Sequence, residues 1–405
     1  MIPVVVGGDI GAYALVRAFH EYSGTRAVVV AKVHTRAFAH TRLADVVVAD
    51  VDDPDTLVAT LLEIARERPD EQLVLLTNAD WYVEMMVNAR AQLEEHYALP
   101  LCSAEAFARV SSKQAFHEDC EELGIPVPRQ VAIDIAHDDR NDEGARLDAL
   151  TYPVIGKPSS SAEYHYVSFP GKRKVHHLRT RAEVDALLAA LREAGYTGTF
   201  LLQEFIPGDE TQMRSLTAYR DRHGTVTLMC TGRVLLEEHT PGTLGIPAAI
   251  LTEPYPEAMD AMQAYLDHVD YRGFANADYK YDERTGRYVF FEVNPRIGRN
   301  NYYVTAAGAN VALFVAADVN RDQLTPVRAT GEVLYSVVPL ALLRRYLVDR
   351  DLRRRVNAVA RRALVRPLLA PADRSPRRVA TIIAVTLNHW RKYRRYYPRP
   401  TSTGL

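Results

Sequence analysis

The chain is short of lysine. Of its 49 basic residues only seven are lysines (32, 113, 157, 172, 174, 280 and 392), and the other 42 are arginines. A lysine at a motif position is therefore harder to ascribe to chance. Cysteine is scarce too. Cys102, Cys120 and Cys230 are too few and too widely spaced for a disulfide framework or a metal knuckle. They read as small core residues in a reducing compartment. No basic segment precedes an apolar run in Met1 to Asp9, so no secretory signal is read. The longest apolar run near the C-terminus, Val379 to Leu387, is far too short to span a bilayer. These absences predict a cytoplasmic protein, and the chain shows no internal repeat or low-complexity tract.

What is present is ordinary in bulk and uneven in distribution. The 405 residues allow two or three domains. An apolar content of 47% and a charged content of 25% fit a globular fold. The formal net charge of −2 argues against a nucleic-acid binder. That small net hides a gradient. Residues 341–405 hold 17 basic and 3 acidic residues, a net of +14, which leaves −16 on the rest. The basic segment ends in Trp390, Arg391, Lys392, Tyr393, Arg394, Arg395, Tyr396 and Tyr397. Two readings stand side by side: docking on anionic lipid at the inner face of the membrane, or packing against the acidic body.

Short apolar runs alternate with helical patterns over the first hundred residues. Strands are expected at Val4–Val6, Ala27–Ala31, Val46–Ala49 and Leu73–Thr77, with helices at 12–22, 55–66 and 80–96. That alternation predicts a parallel sheet covered on both faces, a Rossmann-like α/β domain over 1–102. Glycines at 7, 8 and 11 do not make the dinucleotide fingerprint. They predict a tight strand–helix turn with a small anion or substrate at the helix N-terminus. The pattern changes at about residue 103; a domain over 103–330 follows, and a basic, partly helical extension lies at 331–405. In it, helices are expected at 113–123, 180–195, 255–268 and 303–317, an exposed loop at 137–144, and long strands at 213–221, 225–237, 273–282 and 287–294.

Four segments carry the chemistry. Ser112-Lys113 opens a helix that stops at Gly124 before Pro126 and Pro128, and Lys157 ends a strand begun at Tyr152. Gln203, Glu204, Phe205 and Ile206 run into the acidic turn Asp209-Glu210. Asp278 and Lys280 precede Glu292, Asn294 and Arg296 on a neighbouring strand. Two lysines converging on one site suit a polyphosphate. Asp278, Glu292 and Asn294 offer the hard oxygens that Mg²⁺ shares with phosphates and waters. In an extended strand Glu292, Asn294 and Arg296 share one face. Arg296 can neutralise a phosphoryl group in transfer.

This set resembles the ATP-grasp superfamily, over residues of about 100–320. The resemblance implies an α+β lid at about 115–205 plus an α/β body, with ATP bound between them. It implies Lys113 and Lys157 on the phosphates, Gln203 and Glu204 at the adenine amino group, the backbone of Phe205 and Ile206 at the ring edge, and Asp209 or Glu210 at the ribose. Asp278 and Glu292 would ligate Mg²⁺, with Glu292 bridging two ions and Asn294 on the second; Mn²⁺ is an admissible substitute. A serine run that includes Ser160 stands where many members carry a glycine-rich flap. The segments Lys157 to Tyr164, Phe169 to Val175 and Asn294 to Thr305 resemble, more narrowly, the D-aspartate ligases of peptidoglycan cross-bridge synthesis. That implies an amino-acid carboxylate substrate and an amine acceptor on a cell-wall precursor, joined as an amide through an acyl phosphate. Carboxylation of a purine precursor, dipeptide formation, or non-catalytic ATP binding by a regulator are the alternatives.

Several residues carry two readings. Lys280 shares a face with Asp278 and either assists the phosphates or pairs with that acid. Arg299 is a candidate for a substrate carboxylate, ahead of Arg214 and Arg233. Thr240 to Gly245 reads as a connection or a substrate lid, and His239 beside it as structural.

Overall fold

The structure, a computed structural model, describes residues 1–137, 140–159, 164, 167–173 and 175–404. The chain forms two compact units: residues 1–124, 208–281 and 292–405 make one, and residues 125–207 and 282–291 the other. The first unit therefore joins the segments read as N-terminal domain, grasp body and basic extension.

The first unit begins with a parallel sheet in the order β3-β2-β1-β4-β5. Its strands are β1 (Ile2–Val6), β2 (Ala27–Ala31), β3 (Ala44–Val48), β4 (Leu73–Thr77) and β5 (Tyr97–Ala98). Alternate residues feed two cores. Val5, Val29, Val74 and Leu76 enter one, and Val4, Val6, Val28, Val30 and Leu75 the other. Each fully buried valine or leucine contributes about 1.5–3 kcal/mol. Helices α1 (Ile10–Ser23), α2 (Pro54–Arg66) and α3 (Asp80–Asn88) cover the faces. The helix expected over 80–96 is shorter. It ends at Asn88, a single turn follows at Arg90–Leu93, and Tyr97 is drawn into the sheet beside Leu73.

Helix α4 (Lys113–Glu122) ends this stretch of the first unit. The second unit is an antiparallel sheet, β6-β9-β7-β8, built from β6 (Gln130–Asp134), β7 (Val154–Pro158), β8 (His176–Leu178) and β9 (Thr199–Glu204). Helix α5 (Arg181–Glu193) packs Val184, Leu187, Leu188 and Leu191 against Val154, Leu178, Phe200 and Leu202. Gly156 is required for that packing, because a Cβ there would stand 2.9 Å from Phe200 Cε1. Part of the expected 137–144 loop is helical instead: Arg140–Asp148 forms a helix that buries Leu147. A run of polar residues concealed one apolar anchor.

The body is an eight-stranded sheet in the order β14-β13-β10-β11-β12-β16-β17, with β15 (Val327–Arg328) on β11. Its long members are β10 (Met213–Arg220), β11 (Val226–Glu237), β13 (Gly273–Asp282) and β14 (Arg287–Asn294). β12 (Pro247–Thr252), β16 (Leu334–Ser336) and β17 (Leu364–Val365) complete it. Helix α6 (Pro256–His268) follows β12. The helix expected over 303–317 is two, Tyr302–Ala306 and Val311–Asn320, because Gly308 turns at φ +98° and Asn310 caps the second.

The basic extension is part of this unit. Helix α7 (Arg350–Ala363) turns Leu352, Val356 and Val359 inward, and α8 (Pro376–Tyr396) turns Ile382, His389 and Tyr393 inward. Both pack on Leu235, Leu236, Ala248 and Leu251. Arg378 of α8 is wholly buried; its Nε lies 2.7 Å from Asp373 Oδ2, and its Nη groups donate to Ala37, Ala39 and Leu368 carbonyls. A buried guanidinium held by a carboxylate and three carbonyls in this way fixes the helix in one place. Among the described residues no helix is long and apolar enough to cross a membrane.

Candidate active site

The last turn of β14 exposes every second residue. Glu292, Asn294 and Arg296 keep accessible edges, while Val293, Pro295 and Ile297 are buried. β13 brings Asp278 alongside, where it accepts from Asn276 Nδ2 at 3.4 Å and from Asn294 Nδ2 at 3.3 Å. Burial, and then the Glu292 carboxylate, push Asp278 up to about 7, against the smaller pull of Arg296 and the two amides. Among the described residues neither Asp278 nor Glu292 has a lysine, arginine or histidine at ion-pair distance, and no group of three or more acids, histidines or cysteines converges. Two carboxylates and an amide with charge still to be neutralised fit a divalent cation that takes its remaining positions from phosphate and water. Gly298 closes the turn against Asn276, where a Cβ would stand 2.6 Å from Oδ1.

Lys280 lies on the same side of β13 but does not bond to Asp278. It is buried, and its Nζ donates to the Gly208 carbonyl at 2.6 Å. Of the two ribose candidates, Glu210 is committed inside the protein. Its carboxylate accepts from the Glu237 N–H and meets His239 Nε2 at 3.0 Å. Asp209 keeps an accessible edge, with Oδ1 accepting from the Thr211 N–H and hydroxyl at 2.9 and 2.7 Å. His239 is structural here, held between Glu210 and the Tyr397 ring, which stacks on it at 3.6 Å. Desolvation, and then the Glu210 and Asp278 charges, raise Glu237 well above the usual carboxylate range.

Lys113 is the first residue of α4, a helix capped by Ser112, and it is half-buried. In the second unit Lys157 pairs in register with Leu201, and Ile155 with Gln203. Lys157 and Gln203 therefore project from one face of the β7–β9 pair, opposite the face that packs on α5. Glu204 Oε1 accepts from Thr151 N at 2.8 Å, and Phe205 donates its N–H to Pro153 O at 3.1 Å. Ile206 is buried. Ser160 lies outside the described residues.

The arginines after β14 have partners that no local pattern announced. Arg296 Nε lies 3.4 Å from Asp80 Oδ1, and Arg299 Nε donates to Asp9 Oδ2 at 2.9 Å. Arg214 and Arg233 sit directly opposite each other on β10 and β11, both bonded to the Thr211 carbonyl, and so they buttress the 210–212 turn.

The sequence matches the model of the carbamoyl-phosphate synthase L chain ATP-binding domain over residues 112–317. It is 34% identical over 323 residues to the D-aspartate ligase of Enterococcus faecium (strain Aus0004), covering 78% of this chain and 76% of that protein. It is 25% identical over 343 residues to the carbamoyl phosphate synthase large chain of Thermotoga neapolitana, of whose length it spans 29%. Among solved structures, N5-carboxyaminoimidazole ribonucleotide synthetase from Thermus thermophilus superposes with a TM-score of 0.57 at 20% identity, over 82% of each chain. The biotin carboxylase domain of Hydrogenobacter thermophilus 2-oxoglutarate carboxylase, solved with MgADP and bicarbonate, gives 0.57 at 17% identity over 82% of this chain and 72% of that one. The structural likenesses speak for the fold.

Proposed function

The chain belongs to the ATP-grasp ligase family, that of the carbamoyl-phosphate synthase L chain ATP-binding domain, and from this premise we propose that it joins D-aspartate to the side-chain amine of a peptidoglycan precursor. The observation that carries the choice of substrate is the 34% identity to a D-aspartate ligase along three-quarters of both chains. The family reaction is ATP-dependent, ADP-forming ligation of a carboxylate to an amine. Here the β-carboxylate of D-aspartate attacks the γ-phosphorus and ADP leaves. The amine then attacks the acyl carbon, phosphate departs with the bonding pair, and the amine proton passes to solvent.

Catalysis by the protein is positioning and charge stabilisation. Lys113 and Lys157 bind the phosphates, Gln203, Glu204 and the Phe205–Ile206 backbone the adenine, and Asp209 the ribose. Glu210 holds the turn that presents Asp209. Asp278, Glu292 and Asn294 would hold Mg²⁺, and the metal would supply charge neutralisation at the phosphates. Arg296 faces the transferring group and Arg299 the amino acid. Lys280 sets the Gly208 turn.

ADP release tests the reading, with D-aspartate, L-aspartate and other amino acids, each with and without a cell-wall precursor. D-aspartate-dependent release raised by the precursor is expected. Strict dependence on bicarbonate would overturn the choice. We also propose that the protein works in the cytoplasm at the inner face of the membrane. Ile383 and Leu387 of α8 are 50% and 55% exposed on the helix that carries exposed Arg391, Arg394 and Arg395. No binding of the full chain to anionic vesicles would sink that idea, and binding unchanged by Ile383→Ser/Leu387→Ser would sink the role of α8 in it.

A further inference from the structure

The Gly7-Gly8-Asp9-Ile10-Gly11 motif has no role in the reaction as described so far. Its place in the fold is specific. β1 and β4 lie side by side, and the chain leaves them toward opposite edges, from β1 to β2 and from β4 to β5. Ligands of open parallel sheets bind at the carboxyl ends of strands at such a switch point. Asp9 follows β1 there, and Asn78 and Asp80 follow β4.

The helix N-terminus is already filled. Asp9 Oδ1 accepts from the N–H groups of Gly11 and Ala12 at 2.8 and 3.0 Å, and from Asn78 Nδ2 at 3.1 Å. An external anion would meet this carboxylate. The other oxygen, Oδ2, takes Arg299 Nε at 2.9 Å. The two segments are locked together around that bond. Asn301 Nδ2 donates to the carbonyls of Gly11 and Gly298 at 3.1 and 2.9 Å. A Cβ on Gly11 would stand 2.8 Å from Arg299 Cα, so glycine is needed for this approach. Arg299 is one-quarter exposed, and neither Nη makes a hydrogen bond among the described residues. Nε is used for anchoring, and the planar pair of Nη groups remains. That fork matches a carboxylate bidentately.

We infer that Asp9 is a positioning residue: it fixes Arg299 by Nε and leaves both Nη groups for a carboxylate of the amino-acid substrate. The inference rests on the ligase reading, in which Arg299 faces the amino acid. Arg296 Nε and Asp80 Oδ1 stand 3.4 Å apart without a hydrogen bond.

The test uses the full chain and the amino acid that supports the fastest ADP release in the panel above. Asp9→Asn keeps a good N-cap, since asparagine and aspartate serve equally there, but removes the negative charge that holds Arg299 Nε. Asp9→Ser does the same with a different cap. Both should raise KM for the amino acid roughly tenfold or more, with KM for ATP and the thermal midpoint close to the parent. Arg299→Gln should raise the same KM at least as far. If Arg299→Gln raises it and the Asp9 variants do not, the positioning role is overturned while the Arg299 reading stands. If Arg299→Gln leaves KM for the amino acid unchanged, both fail. If the Asp9 variants change both KM values in proportion to lost thermal stability, Asp9 is only a helix cap and the inference is overturned.

Discussion

Two carboxylate clusters in the body have opposite fates. At the end of β13 and β14, Asp278 and Glu292 stand together without an ion-paired cation among the described residues, and Asp278 is pushed up to about 7. At the end of β11, Glu210 meets His239 at 3.0 Å, while Glu238 meets His389 at 3.0 Å and Lys392 at 3.7 Å. Glu210 and Glu238 find their partners within the chain, Glu238 on the basic helix α8. The first has no such partner among the described residues, and burial and mutual repulsion disfavour ionisation of Asp278 beside Glu292. An acidic pair is therefore a metal candidate by what it lacks as much as by what it contains, because buried charge has to be matched from somewhere.

The contrast can be broken from either side. The largest effect should come from Glu292→Gln. Removing one of the two unmatched carboxylates should cut ADP release by about a hundred- to a thousandfold at saturating Mg²⁺, while the thermal midpoint stays level or rises, since Asp278 loses a repulsive neighbour. Near-normal turnover would refute the metal assignment.

His389→Ala attacks the other cluster and should do the reverse. It leaves Glu238 buried without its main partner, at a cost of about 2 kcal/mol in unfolding free energy, measured by denaturant titration. The third effect is smaller and lies on the acid side. Burial raises Glu238, but the hydrogen bond from His389 and the charges of His389, Lys392 and Arg299 outweigh it, so its pKa lies below the usual value. A carboxyl depressed in the folded state contributes stability that is present above its unfolded value of about 4.3 and lost as pH falls through the folded one. Wild-type stability should therefore fall as pH drops below about 4.3, and Glu238→Gln should flatten that limb. An unchanged limb would show that other groups govern it.

Most of the candidate site's parts were legible from local pattern. Lysine scarcity marked Lys113 and Lys157, and alternation along β14 placed Glu292, Asn294 and Arg296 on one face, where all three keep accessible edges. Roles decided by distant partners were not legible. Lys280 was balanced between phosphates and Asp278, and the structure gives its Nζ to Gly208, 72 residues away. Glu210 looked as available as Asp209 until β11 and the Tyr397 ring closed over it. The charge gradient pointed equally to lipid and to the acidic body. Tyr393 and Tyr397 pack into the core, Tyr393 donating its hydroxyl to the Glu237 carbonyl, and the proposal of lipid docking rests on the exposed Ile383 and Leu387.

The sequence by itself determined most of the succession of elements and the residue types that the grasp motif brings to the candidate site. Strand and helix periods, caps and residue types act over a few positions and can be read in order. Only the tertiary structure decided which charges are used up internally and which remain. The Asp9–Arg299 bond joins residues 290 apart, and the His389–Glu238 bond residues 151 apart. Such pairs depend on sheet order and helix docking, which bring together groups that no local window contains.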